Sequence, residues 1–412
     1  MQPTRSCPQG RCSGLLSPSA RAAEIGLSEC LWALLEDIEL EDEPVLLNAA
    51  LQDALAQLDG VLKPQDFSLE IKERIAAFTP GTREWLIADF DNWLAQPASA
   101  EGSRAFVILA GAGMGKSCVA AKLCVERSRE VAACHFCRAA NADTHDVNRL
   151  IKSLAAQLAR RLPEMVAGLA EAAKSLALGS LTSNSMFDAL LKGPLSEVAP
   201  PTLGASADGQ LVVLIDALDE SGLRRNELLM LLSRRWSELP PWVRLVVTSR
   251  PDYDLLPSLN RLKPRKIEST DKRHEEDLRL HLRHLLRHRM RPEDLERGMN
   301  LLFQRSEGVF VYIAQVEARL CSAASVSMDD LAEFPEGLDG LYSEYFSEDR
   351  MADALWQKAK EVLCILLATQ EPPMLSDLVW ASGAAKKDID NILKARAFLG
   401  EGETSPECAL TY

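Results

Sequence analysis

Four short apolar runs stand out along the chain, at residues 105–110, 131–137, 211–215 and 243–247. Runs without polar alternation suit strands buried on both faces, and therefore a parallel sheet covered by helices. Between them, apolar residues recur at helical spacing over 116–126, 146–161, 186–198 and 225–239, so strand and helix alternate in the α/β manner. Residues 168–209, rich in Ala, Ser and Leu and carrying Pro-Pro-Thr-Leu-Gly, read as an excursion from that core. Past Pro251 the strands largely stop, and helical patterns cover 277–290, 292–304, 309–320, 353–369 and 387–398, with Glu371-Pro372-Pro373 as a break. Upstream, Leu31, Leu34, Leu35 and Ile38 begin a helical region running to Leu62. A connector with a helix near 71–78 follows, then an amphipathic helix through Trp85, Leu86, Phe90, Trp93 and Leu94. The pattern divides the chain into a tail (1–26), an N-terminal helical region (27–77), an α/β domain (78–270), a helical lid (271–345) and a C-terminal piece (346–412). That piece stops without a closing element, as a fragment of a longer protein would.

Composition adds exclusions. The chain has 412 residues, room for two or three domains, and 46 Lys and Arg against 60 Asp and Glu leave a net charge of −14. That balance argues against broad docking on nucleic acid or anionic lipid. No apolar run approaches the ~18 residues of a spanning helix. Ten scattered cysteines lack the spacing of a disulfide scaffold, which fits reduced thiols and a cytoplasmic location. Residues 1–23 hold Arg5, Arg11 and Arg21 with no acid before Glu24, loosely like an organelle transit peptide, although a disordered polar tail is the simpler reading.

The strongest chemical signal is a strand running from Phe106 into Gly111-Ala112-Gly113-Met114-Gly115-Lys116-Ser117-Cys118 and on into a helix, the context a P-loop requires. The glycines let backbone N–H groups turn inward toward phosphate, and the helix N-terminus adds a favourable dipole. Lys116 suits the β/γ-phosphates of ATP or ADP and Ser117 suits Mg²⁺. Ala110 stands where the usual pattern has its first glycine. The run Leu211-Val-Val-Leu-Ile-Asp216-Ala-Leu-Asp219-Glu220 places Asp216 at the C-terminal edge of the sheet, where it would hold Mg²⁺. Asp219 and Glu220 follow where an attacking water is polarised, and either serves as base or orienter. A third strand delivers Thr248, Ser249 and Arg250 to the same edge, where a guanidinium senses γ-phosphate charge.

These motifs, in this order, resemble the NACHT-type branch of the STAND P-loop NTPases, especially nephrocystin-like members. Gly81-Thr82-Arg83-Glu84-Trp85-Leu86, Trp93-Leu94 and His135-Phe136-Cys137 are also similar to that group. The resemblance covers about residues 78–345 and, more weakly, 350–400, where it implies a partial winged-helix-like domain. It implies switches that hold ADP when closed and self-associate with ATP when open, and it places Thr82 and Arg83 near the adenine or ribose. In the lid motif around Ser306–Val311, Phe310 stands where many relatives place a proline. His288 is the last histidine, so the one that reads the β-phosphate in several relatives has no counterpart.

Cys134-His-Phe-Cys137 is formally a C-x-x-C, but residues three apart on a strand face opposite ways, which favours separate buried thiols. His281, His284 and His288 share a helical face among Arg279, Arg283, Arg287 and Arg289, and this reads as a solvated basic stripe rather than a metal site. The fold expected is α/β, a P-loop NTPase parallel sheet with helices on both faces. The function expected is an ATP-binding regulatory switch in signalling or scaffolding, with protein partners and no membrane or nucleic acid. The alternatives are an AAA-like mechanical or loader ATPase and a non-hydrolysing, nucleotide-stabilised scaffold.

Overall fold

The computed structural model describes residues 49–97, 104–139, 141–175, 181–201, 209–222, 225–252, 255–320, 323–345, 353–369 and 373–395. The expected tail (1–26) lies outside them, as does the first part of the N-terminal helical region. Three helices open the described chain: α1 (Ala49–Leu62), α2 (Ser68–Ala76) and α3 (Glu84–Leu94). The α/β unit follows with β1 (Ala105–Ala110), α4 (Lys116–Glu126), β2 (Val131–Phe136), α5 (Val147–Arg161), α6 (Met165–Ser175), β3 (Leu211–Asp216), β4 (Val243–Ser249) and β5 (Arg265–Ile267). Among the described residues the strands form one sheet in the order β2-β3-β4-β1-β5, and every pairing is parallel. This is an α/β P-loop NTPase fold.

Alternation along the buried strands sorts side chains onto two faces. Val107, Leu109, Val213, Ile215, Leu245 and Val247 enter a core with α1, α5 and α6, while Phe106, Ile108, Val212, Leu214 and Val246 pack against α3 and α4. Asp146 accepts from the Arg149 N–H and caps α5.

Two expectations need correction. The stretch after residue 168 is no excursion where it is described. Leu169, Met186, Phe187, Leu190, Leu191 and Leu195 are buried in the first core, because large apolar residues fall at helical spacing among the alanines and serines. Each helix expected over 186–198 and 225–239 is interrupted by a wide turn, at Asp188–Lys192 and Leu231–Arg235, so neither is one continuous α-helix. The strands largely stop at Pro251 as expected, and β5 is the exception among the described residues. β5 is hidden in the sequence because only three residues pair, and Arg265 and Lys266 mask its pattern; the Arg265 guanidinium lies 3.9 Å over the Phe106 ring.

The helical part contains α7 (Lys272–Leu286), α8 (Pro292–Ser306), α9 (Phe310–Leu320), α10 (Met328–Ala332) and α11 (Gly337–Tyr345). They share one apolar core, including Leu278, Leu282, Leu302, Tyr312, Val316, Leu331 and Leu341. Beyond it α12 (Asp353–Ala368), α13 (Leu375–Ser382) and α14 (Lys386–Ala395) pack around Ala359, Val362, Leu378 and Ile389. No described helix is long and apolar enough to cross a membrane.

Candidate functional site

β1 ends at Ala110 and α4 begins at Lys116, so residues 111–115 form the loop at the C-terminal edge of the sheet. Gly113 and Gly115 hold φ of 68° and 80°, which an L side chain resists. Ala110 is still a strand residue, so alanine costs nothing where the usual pattern has glycine. Its carbonyl and that of Gly111 each accept a 2.9 Å hydrogen bond from Lys116 Nζ. Burial lowers the Lys116 pKa, with Asp219 opposing.

On β3, two strands from β1, Asp216 is 2% exposed and accepts from Thr248 Oγ1 at 2.5 Å, with the Ser117 hydroxyl beside it. Burial raises its pKa, and these two neutral donors only partly offset that. A buried carboxylate beside a serine hydroxyl supplies the hard oxygen donors that Mg²⁺ takes, with water completing the shell. Ala217 then adopts a left-handed turn at φ 54°, its N–H donating to Thr248 Oγ1 at 2.9 Å. The turn carries Asp219 and Glu220 to Arg250. The Arg250 N–H donates to Asp219 Oδ1 at 2.9 Å, its Nε lies 3.1 Å from Asp219 Oδ2, and its Nη2 lies 3.3 Å from Glu220 Oε1. Burial and then Asp219 raise the Glu220 pKa, while Arg250 and the Ala139 N–H oppose them.

The helical part sits directly on this loop. The Val311 N–H at the start of α9 donates to the Gly113 carbonyl at 3.2 Å. Arg83, 3% exposed, donates through Nη2 to the Met114 carbonyl at 2.7 Å and lies 4.8 Å over the Phe310 ring. Asp277 on α7 holds it there: Oδ1 accepts from the Arg83 N–H at 3.0 Å, and Oδ2 lies 3.4 Å from Arg83 Nη1 and accepts from Trp85 Nε1 at 2.9 Å. His274 Nε2 donates to the Gly308 carbonyl at 2.6 Å, which fixes the turn ahead of Phe310.

Between these elements lies a cavity of about 390 Å³. It gathers Thr82, Arg83, Ala112–Cys118, Asp219, Glu220 and Arg250, whereas Asp216 lies behind Ser117 and Gly111 stands at the loop's start. Every site residue expected from the sequence therefore lies in or against one region. Arg74, His281, Phe310 and Glu317 also line it.

Of the three histidines in the expected solvated stripe, His281 departs from it, whereas His288 is exposed and His284 only partly buried. His281 is bonded to Thr79 Oγ1, packs 5.7 Å from Phe310, and burial lowers its pKa to about 4. The arginines around it masked this, but His281 lies one turn beyond Asp277 on the face α7 turns inward. Arg74 and Asp277 gave no signal, since a lone arginine or aspartate on a charged helix reads as surface. The Cys134 and Cys137 thiols are both free; Cys137 is buried as expected, whereas Cys134 is only partly so.

Residues 81–250 match the model of the family described as nephrocystin 3, N-terminal. A comparison with curated proteins finds no match. Among solved structures, a Thermotoga maritima RuvB variant is 14% identical, over 80% of this chain and 92% of that one, with a TM-score of 0.32. Drosophila ORC bound to DNA is 14% identical over 91% of each chain, with a TM-score of 0.37. The Aeropyrum pernix ORC1 protein in complex with DNA is 14% identical over 78% of this chain and 84% of that one, with a TM-score of 0.35. Likeness at these scores is too loose to bear on function, and the fold rests on the strand order and loop geometry above.

Proposed function

We propose that this chain is an ATP-binding regulatory NTPase of the NACHT type, a nucleotide-dependent switch in signalling or scaffolding that uses Mg²⁺ and turns over slowly. The observation that carries this reading is the shared contact between loop and lid, in which the Gly113 carbonyl accepts from Val311 and Arg83 bridges Met114, Asp277 and Phe310. A phosphate-binding loop braced by a helical unit with its own core passes changes in its geometry to that unit.

In this reading the loop N–H groups and Lys116 hold the phosphates, and Ser117 and Asp216 hold the cation. Bound Mg²⁺ supplies charge neutralisation at the β- and γ-phosphate oxygens. Thr82 and Arg83 stand at the adenine or ribose end. Glu220 or Asp219 orients the attacking water, and Arg250 must trade its carboxylate contacts for the γ-phosphate. That trade makes turnover slow, because the guanidinium starts ion-paired to both acids. Residues 78–270, 271–345 and 346–412 then act as core, lid and third body, with cytoplasmic protein partners and self-association as the output.

Mass spectrometry of nucleotide released from purified protein, followed by X-ray scattering with ADP and with a non-hydrolysable ATP analogue, tests the proposal. Different compactness or assembly with the two nucleotides is expected; identical profiles would refute the switch. The AAA-like reading draws on β4 between β1 and β3, which brings Arg250 to both acids. Fast, partner-independent turnover would favour it. The DNA named with ORC belongs to those proteins, and a charge of −14 weighs against it here.

A further inference from the structure

Among the described residues, four cationic side chains line the cavity: Arg74, Arg83, Lys116 and Arg250. Three are held by strong partners within 3.1 Å. Lys116 is bonded to two loop carbonyls, Arg83 to the Met114 carbonyl, and Arg250 to Asp219. Arg74, near the C-terminal end of α2, is different. Its ion-pair partner is Glu70, one turn back, with Nη2 at 3.6 Å from Oε1, beyond hydrogen-bond reach. Glu70 is already engaged on both oxygens by Arg138, at 3.1 Å from Nε and 2.9 Å from Nη2. The Arg74 side chain remains 44% exposed, facing the cavity.

Its position is set by the fold. α2 packs along α4, the helix that opens at Lys116, and α2's end, at Arg74, Ala77, Phe78 and Thr79, joins the cavity wall beside Ser117 and Cys118. Arg74, Ser117 and Cys118 thus line one wall of the same cavity.

We propose that Arg74 is a further nucleotide-binding residue, supplied by the helix ahead of the P-loop domain, whose guanidinium closes on the α/β-phosphate oxygens at the Ser117–Cys118 end of the loop. The assignment rests on the nucleotide reading of this cavity. A guanidinium offers several donors to phosphate oxygens, and a weakly held side chain loses little in leaving Glu70.

Calorimetry with Mg-ADP and with adenosine on the full chain tests this, using Arg74→Ala, Arg74→Lys and Lys116→Ala. The expected result is at least a tenfold loss of ADP affinity in Arg74→Ala, partial recovery in Arg74→Lys, and unchanged adenosine affinity. The thermal midpoint without nucleotide should stay close to that of the parent, since the Arg74–Glu70 pair is long and half-exposed. ADP affinity of Arg74→Ala within twofold of the parent would overturn the proposal, and so would an equal loss of adenosine binding. If the parent binds ADP and Lys116→Ala weakens it while Arg74→Ala does not, the Arg74 assignment alone falls. If the parent binds no ADP, both readings fall.

Discussion

Replacing Gly113 with alanine attacks the loop–lid contact from the loop side. A Cβ there would lie 2.5 Å from Val311 Cγ1 and 2.9 Å from Val309 Cγ1, well inside van der Waals contact. Overpacking of this kind costs about 1–3 kcal/mol. The backbone adds a separate cost, because φ of 68° strains an alanine by about 1–2 kcal/mol. The lid-docked arrangement should therefore lose roughly 2–5 kcal/mol. A double-mutant cycle separates the two parts. Val311→Ala removes the nearer obstructing methyl but leaves Val309 Cγ1 at 2.9 Å and Val311 Cβ at 3.0 Å, so Gly113→Ala made in that background should recover part of the ~1–3 kcal/mol overpacking cost. Denaturant unfolding gives the energies, and limited proteolysis between Leu320 and Met328 reports whether the lid loosens. Purely additive effects, with no coupling between 113 and 311, would show that the lid does not rest on the loop, and the proposed switch would lose its physical link.

Lys116→Ala should weaken Mg-ATP binding tenfold or more in calorimetry, and unchanged affinity would remove it from the site. Glu220→Gln should keep ATP binding but slow single-turnover hydrolysis, while Asp216→Ala should lose Mg²⁺-dependent affinity; cleavage abolished by Asp219→Asn alone would move the base to Asp219. His281 has a pKa of about 4 in the folded chain against 6.5 when free, so below pH 6.5 the unfolded chain takes up the proton first. Stability should therefore fall by up to about 3 kcal/mol as pH drops from 6.5 to 4. His281→Gln should flatten that slope relative to the parent, leaving the similar contribution of His135; equal slopes would mean that His281 is not buried neutral.

The central sheet was legible because β1, β3 and β4 are fully buried, so their sequences show unbroken apolar runs. The loop was legible because it needs glycine at two positive-φ positions, followed by Lys and Ser. β5 was not, since three residues bearing two cations carry no such run. Asp277 lies 194 positions from Arg83, and nothing local in either segment foretells that they pair. His281 reads as surface for a related reason. Its neighbours in sequence are arginines facing solvent, whereas its neighbours in space are Thr79 and Phe310, brought there by a different part of the chain.

The Val311–Gly113 bond joins main chain to main chain, so neither side chain makes it, although a side chain at 113 would crowd it. Any residue but proline can donate at 311, and any residue able to follow the loop's path can accept at 113. Two such chains could differ at nearly every lid position and still keep this hinge point. The route of the backbone is then one of the ties between lid and loop, a property that residue patterns do not record, and it stands beside the side-chain brace of Arg83 and the close fit at Gly113.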